Sequence, residues 1–474
     1  MNRGRAIAVA ASVPFFFSGS KAGAAEGLAS EQRAGLTELV ADASDAPQTV
    51  GFSVAVSRDW SVVYQTGRGK RSLSPDEPAT AGTWYGIGSV TKQFTAALIM
   101  QFVEAGALGV DDRLDTILPS FPHANELTMR QLLTHTTGLA EYGEYVASAG
   151  LLQTADVRPE QLVALIAGKP LEFAPGTRFE YSNTNYLALG MVLEQLAGKP
   201  YGEIVQERII RPLRIDVAVS PPSSGEVARG YREGTPPTAV TDPNVSWAYA
   251  AGQLFATVGG LVAWDAALFG GRVVRPQSLA LMTTPVTLPD GTPTNYGFGL
   301  SSIMLHGRRM ISHDGGVPGF AAQNFVFPDD GIAIATLANT INFNLALPAT
   351  KIAEVFYSGL GDALQDLEQR QAAKLDDVHL RSRAREWLDR IANASFDTSQ
   401  LTPEMKAALT PEAVKKPREM LAAAGPIKKI SLAGFEMLRG YRVYVYRVTG
   451  ARAQLTFTFV LDEKGLIAGL FLRP

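Results

Sequence analysis

Apolar and polar positions alternate from residue 50 onward. Val50, Phe52, Val54 and Val56 share one side of an extended segment, Arg58 and Asp59 turn it, and Val62, Val63 and Tyr64 lead back. A period of two marks a strand, so residues 48–66 read as a hairpin. Residues 90–105 break that rhythm: Val90, Phe94, Ala96, Ala97, Leu98, Ile99, Met100, Phe102 and Val103 leave no polar face. A helix that is apolar all round belongs inside a core, and Gly106 and Gly109 stop this one. A helix-rich stretch, punctuated by Pro and Gly, follows over 111–269. Short strands are predicted at 296–303, 320–327 and 332–337, with a closing helix at 343–358. Strands at both ends of this region, with helical material between, predict one sheet assembled from two separated parts of the chain, with a helical lobe beside it.

The pattern changes again near residue 361. Residues 361–378 are charged and lack a regular apolar stripe, so they read as a linker helix that few contacts cross. Residues 379–474 carry helical stretches at 380–393 and 403–424, then strands at 441–448, 455–461 and 466–472. Leu455, Phe457, Phe459 and Leu461 alternate with polar or small neighbours, and Asp462-Glu463-Lys464-Gly465 has hairpin-turn chemistry. This is a small α+β domain with no obvious catalytic group. The fold class expected overall is α+β, with domains at 30–360 and 379–474.

Composition narrows the function classes. The chain has 474 residues, 46% of them hydrophobic and 19% charged, as in an ordinary globular protein. A net charge of -3 offers no basic surface for nucleic acid. There is no cysteine, which excludes a disulfide framework, a catalytic thiol and thiolate metal sites. The five histidines are scattered and form no HExxH string, so no metal is expected. Residues 1–24 read as a secretory signal: Arg3 and Arg5 precede the apolar run AIAVAASVPFFF, and small residues follow at 22–24. That run is too short to span a bilayer, which takes about 20 residues. The expectation is a periplasmic or secreted protein with no transmembrane anchor once the signal is removed.

Candidate chemistry sits in three strings. In GIGSVTKQF, Ser89 and Lys92 stand three residues apart where the apolar helix begins, beside each other on one face. A serine hydroxyl is a weak nucleophile until a base takes its proton, and a desolvated lysine of lowered pKa can do so. The ordinary alternative is a capping serine with a solvated lysine. In FEYSNTNY, Tyr181 and Asn183 stand on a loop at a helix start, where side chains can enter a cleft or simply cap the helix. In ISHDGGVPGF, the paired Gly315 and Gly316 allow a ligand close to the backbone, or make a plain turn.

Taken in order, Ser-x-x-Lys, Tyr-x-Asn and His-x-Gly resemble the penicillin-recognising serine hydrolases related to the serine β-lactamases. The branch resembled is that of class C β-lactamases, D-amino-acid peptidases and β-lactamase-fold esterases. The strings LLTHTTGL (132–139), FAPGTRFEYSN (173–183), RPL (211–213) and YGFGL (296–300) add to the likeness, which spans about 46–360. The resemblance implies an antiparallel sheet with helices on both faces and a helical lobe alongside. It implies Ser89 as nucleophile, Lys92 and Tyr181 as base and acid, and Asn183 as orienting group. The N–H groups of Ser89 and Gly316 would form the oxyanion hole, and His313 and Gly315 would line the substrate site. His135, in LLTHTTGL, is expected to anchor a loop. No cofactor is implied, and the partner is a small-molecule or peptide substrate.

One departure bears on specificity. Where β-lactamases carry Lys-Thr-Gly, this chain has His313-Asp314-Gly315, so a fixed cation gives way to an imidazole that is mostly neutral at pH 7. That favours an ester, amide or D-amino-acid peptide bond as substrate. A true β-lactamase, a D,D-carboxypeptidase and a silent ligand-binding homologue remain open. An α/β-hydrolase is a further alternative, against which stands the lack of any Gly-x-Ser-x-Gly string.

Overall fold

A computed structural model describes residues 28–473 apart from short stretches at 45–48, 152–155, 224, 233, 241–244, 306, 342–344, 376–377, 439–440 and 463. The expected signal segment, 1–24, lies outside the described residues. Helix α1 (Ser30–Ser44) is followed by β1 (Gly51–Arg58), β2 (Ser61–Leu73) and β3 (Asp76–Pro78). Helices α2 (Thr91–Glu104), α3 (Asn183–Ala197) and α4 (Val258–Phe269) dominate the middle. Strands β4 (Ser301–Leu305), β5 (Arg308–Val317), β6 (Phe320–Phe327) and β7 (Ile332–Ala338) precede α5 (Ala346–Glu354). Strands from both ends form one antiparallel sheet in the order β3-β2-β1-β7-β6-β5-β4. The seam is β1 against β7, with Val54 opposite Thr336 and Ala55 opposite Ala335.

Each face of this sheet is covered, which explains why β1 is buried on both sides. Phe52, Val54 and Val56 face α1 and α5 in one core, whereas Ala55 faces a second core shared with α2, α3 and α4. The small residues between the valines, Ser53 and Ala55, let α4 lie close against the strand. Helix α2 is buried along nearly its whole length, as its uniform apolar character predicts.

Two expected boundaries shift. The strand predicted at 296–303 begins only at Ser301, and the closing helix is shorter than 343–358. A larger correction concerns His313-Asp314-Gly315-Gly316, read as a turn or a loop before a strand: these residues lie inside β5. The polar and glycine content that hid the strand reflects its position beside the cleft.

Beyond the main sheet, helix α6 (Leu360–Leu375) covers the stretch expected to be a linker. It is no passive connector. Leu360 and Ala363 are buried with the α1–α5 core, Leu364 and Leu367 pack on it, and the helix also runs against β8 (Ile427–Leu438). Strands β8, β9 (Tyr441–Gly450), β10 (Gln454–Leu461) and β11 (Ile467–Arg473) form a separate four-stranded antiparallel sheet in that order. Trp387 and Leu388, from the helix Val378–Asn393, pack on Tyr446, Phe457 and Phe459 in a third core. Sequence reading predicts three of these strands and misses β8. Its pairing with β9 is interrupted twice, between Ile427 and Lys429 and between Leu432 and Gly434, and such bulges erase the period-two pattern.

Candidate active site

Ser89 lies in a single tight helical turn, Gly88–Val90, that runs directly into α2. The residue before α2 makes no side-chain cap, so the capping alternative for this serine does not hold. Instead the Lys92 ammonium nitrogen, Nζ, lies 3.0 Å from Ser89 Oγ, 2.8 Å from Asn183 Oδ1 and 2.9 Å from the Ala251 carbonyl. Lys92 is wholly buried. Burial brings its pKa down to about 7, against the opposing pull of Glu141 and Asp314. A neutral amine has two N–H groups and one lone pair. With Asn183 Oδ1 and the Ala251 carbonyl taking both hydrogens, the lone pair is left for the Ser89 hydroxyl.

Backbone packing sets the other side of Ser89. A Cβ on Gly315 would stand 2.0 Å from the Ile87 carbonyl oxygen, and one on Gly88 would stand 2.5 Å from the Gly316 nitrogen. Gly88 also has φ +50°, a region that favours glycine. Only glycine permits this approach of the nucleophile turn to β5. The register then directs the Gly316 N–H. Val317 and Phe320 close a two-residue hairpin and Gly316 faces Ala321; the closing pair is hydrogen-bonded and the next is not, so the Gly316 N–H points away from β6. Strand β4 pairs with β5 only as far as Ser312, which leaves that edge open beside Ser89.

Tyr181 and Asn183 arrive together at the start of α3, where Ser182 caps the helix by accepting from the Thr184 N–H at 3.3 Å. Desolvation raises the Tyr181 pKa well above the usual tyrosine range, against the opposing influence of the Ser89 hydroxyl. The Tyr181 ring lies 4.8 Å from Lys92 Nζ and shows 37% of the residue's surface to the cleft.

His135 is fully buried behind these groups, 4.2 Å from the Tyr181 ring between centroids. Its Nδ1 accepts from the Ser182 N–H at 3.2 Å and from Asn185 Nδ2 at 3.1 Å. Burial, with Lys92 and His313 nearby, depresses its pKa well below the usual value. A neutral ring acting as acceptor is the loop anchor expected from LLTHTTGL.

His313 is among the residues that line the cleft beside Ser89, but its ring nitrogens are engaged within the protein. It is 4% exposed, its Nδ1 donates to the Asp314 carbonyl at 2.6 Å, and its Nε2 accepts from the Tyr296 hydroxyl at 2.9 Å. Desolvation lowers its pKa to about 4. Both nitrogens are engaged within the protein, so His313 holds Tyr296 rather than presenting a cation.

Sequence reasoning missed Glu141. Its carboxylate accepts from the Asn183 backbone N–H, from Asn183 Nδ2 at 3.1 Å and from the Gly143 N–H at 2.9 Å. An acid two residues past LLTHTTGL was its one trace in the sequence. Glu141 lines a cleft of about 630 Å³ together with Ser89, Tyr181, Asn183, Trp247 and Asp314, and with Glu144, Glu172 and Glu180. Burial and the neighbouring Glu180 and Glu144 raise Glu172 to about 7, while Arg178 pairs with Glu180. Among the described residues no group of three His, Asp or Glu side chains converges as metal ligands would.

The chain is similar to proteins of known kind. A D-aminopeptidase of Brucella canis is 27% identical over 296 residues, covering 61% of this chain and 56% of that protein. The chain therefore spans about half the length of the curated relatives it matches. A D-stereospecific amidohydrolase from Streptomyces sp. superposes with a TM-score of 0.59 at 28% identity, over 69% of this chain and 99% of that one. The octameric penicillin-binding protein homologue from Pyrococcus abyssi shares the fold over 91% of this chain and 92% of its own, with a TM-score of 0.61 at 22% identity. The Beta-lactamase family profile matches residues 36–355, and with the nucleophile turn, Tyr-x-Asn loop and open β5 edge assembled on that segment, the chain belongs to the Beta-lactamase family.

Proposed function

We propose that this protein is a serine hydrolase that opens an amide or ester bond through an acyl-enzyme on Ser89. The observation that supports this most directly is the bonding of Lys92: buried, with a pKa near 7 and two carbonyl acceptors besides Ser89 Oγ. In the neutral form Lys92 takes the hydroxyl proton as Ser89 Oγ attacks the substrate carbonyl carbon. The N–H groups of Ser89 and Gly316 receive the oxyanion. Tyr181, kept protonated by the desolvation of its hydroxyl, gives its proton to the leaving nitrogen or oxygen and takes back, from the Lys92 ammonium, the proton that left Ser89. Water then repeats the sequence on the acyl-enzyme, with the same groups in reverse order.

The substrate class proposed is an amide or short peptide of a D-amino acid with a free amine, or a neutral ester, in preference to a β-lactam or a peptide carboxylate. Five acidic side chains line the cleft, and His313, neutral at pH 7, supplies no cation for a substrate carboxylate. The relatives named for D-amino-acid substrates agree with this reading. The N-terminal pattern at 1–24 supports export to the periplasm or medium. The test is turnover of D-phenylalanine amide, p-nitrophenyl acetate and a chromogenic cephalosporin by purified protein, with mass spectrometry of the Ser89 peptide. The expected order places the amide or ester well above the cephalosporin. Faster cephalosporin turnover would overturn the substrate class, and acylation at any residue other than Ser89 would overturn the mechanism.

A further inference from the structure

Glu141 makes no bond to Ser89 or Lys92, yet two of its three contacts fall on Asn183, which serves them, and the third, from the Gly143 N–H, steadies the carboxylate. Its importance lies in hydrogen-bond polarity. A carboxylate can only accept, whereas the Asn183 amide has an accepting end and a donating end that a 180° rotation exchanges. With Glu141 against Nδ2, the oxygen of Asn183 must face Lys92. Were the amide reversed, Nδ2 would donate to the Lys92 lone pair, and the amine could no longer accept the Ser89 proton.

We infer that Glu141 is a positioning residue whose carboxylate fixes the orientation of the Asn183 amide and so aims the Lys92 lone pair at Ser89. This rests on the acyl-enzyme reading above. The geometry around Asn183 supports it from both ends: Nδ2 reaches Glu141 at 3.1 Å and Oδ1 reaches Lys92 at 2.8 Å. The backbone N–H of Asn183 donates to the second Glu141 oxygen, so the carboxylate cannot rotate away without losing two bonds. The Gly143 N–H holds its first oxygen.

The groups facing Lys92 are Glu141, Asp314, Tyr181, Tyr186, His135 and His313. Of these, the two carboxylates favour the ammonium form. Removing the Glu141 charge therefore lowers the Lys92 pKa, and the acid limb of activity moves to lower pH.

The test is a cycle of three variants, each read by p-nitrophenyl acetate kinetics against pH and by thermal melting. Glu141→Gln should lower kcat by about 10- to 100-fold, as loss of an orienting partner commonly does, with KM little changed and the acid limb displaced downward. Asn183→Asp sets two carboxylates against each other and should also lose activity. When both substitutions are combined, the new amide at position 141 can donate to the new carboxylate at position 183. That carboxylate can only accept from Lys92, so polarity is restored. The double variant should regain much of kcat, with its acid limb above that of the native protein because a carboxylate now touches Nζ. An unchanged kcat in a folded Glu141→Gln protein overturns the inference. So does a folded double variant no more active than Asn183→Asp, a comparison that survives if Glu141→Gln alone does not fold. Acylation of the native Ser89 peptide, measured first by mass, separates these outcomes from failure of the acyl-enzyme reading.

Discussion

The two sheets of this protein use burial in opposite ways. Around the seven-stranded sheet, buried polar and charged side chains are frequent: Ser53, Lys92, His135, Asn185, Asp265, His313, Asn324 and Thr336 are all below 9% exposure. In the four-stranded sheet and its helices the interior is aromatic and aliphatic, and among the described residues after 340 Thr402 and the Tyr446 hydroxyl are among the few buried polar groups. Burying a polar group is costly unless it is bonded, and a buried charge more so. That cost is concentrated in the region that carries Ser89 and the buried Lys92, the nucleophile and base of the proposed mechanism. The C-terminal sheet builds its core from simple alternation, with Tyr444, Tyr446 and Val448 buried between more exposed neighbours. Buried polar groups thus gather around the candidate site, before any motif is considered.

The nucleophile is where this contrast is most exposed to test. Ser89→Ala should abolish acylation and turnover while leaving the melting temperature nearly unchanged; residual wild-type turnover would remove Ser89 from the mechanism. Next in size is Gly315→Ala. Its Cβ would stand 2.0 Å from the Ile87 carbonyl, forcing β5 from the nucleophile turn, and misplacing one oxyanion donor costs about 10²- to 10³-fold in kcat. Kinetics at native-like activity in that variant would show that the Gly316 N–H does not serve the reaction.

Acidity gives a third handle. The reactive form of Lys92 is deprotonated, so kcat/KM on a neutral ester should rise with pH through about 7. Below that it should fall about tenfold per pH unit. A profile flat from pH 5 to 8 would contradict a lysine base. A neutral ester is the right probe because Glu172, also raised to about 7, would add its own pH dependence for an amine-bearing substrate.

In the second region the expected effects are on stability alone. Phe459→Ala should cost about 3–5 kcal/mol in that sheet and leave the acylation rate of folded protein unchanged. The smallest effect is expected from ending the chain after Leu375, since every residue lining the cleft lies between 89 and 314. Ending it near 361 would instead cut α6 where Leu364 and Leu367 still pack on the α1–α5 core. Loss of labelling in a folded protein ending after Leu375 would tie the small sheet to the active site.

What was legible in the chain before folding is what local periodicity and short spacing can encode. The first hairpin, the buried helix α2, the assembly of one sheet from separated segments and three C-terminal strands follow from alternation and turn residues. Ser89 with Lys92, and Tyr181 with Asn183, could be recognised because each pair lies within one helical turn or loop. The remainder came from tertiary packing. Whether Lys92 is a base depends on burial and on Asn183 and Ala251, 91 and 159 positions away. Glu141 acquires its place only when residues 42 positions apart meet. The strand β5 was hidden because its glycines answer to the backbone of Ile87 and Gly88 rather than to any local propensity. His313 likewise turned inward to Tyr296. A pKa and a hydrogen-bond polarity belong to an environment, and an environment is made by chain segments that sequence spacing does not relate.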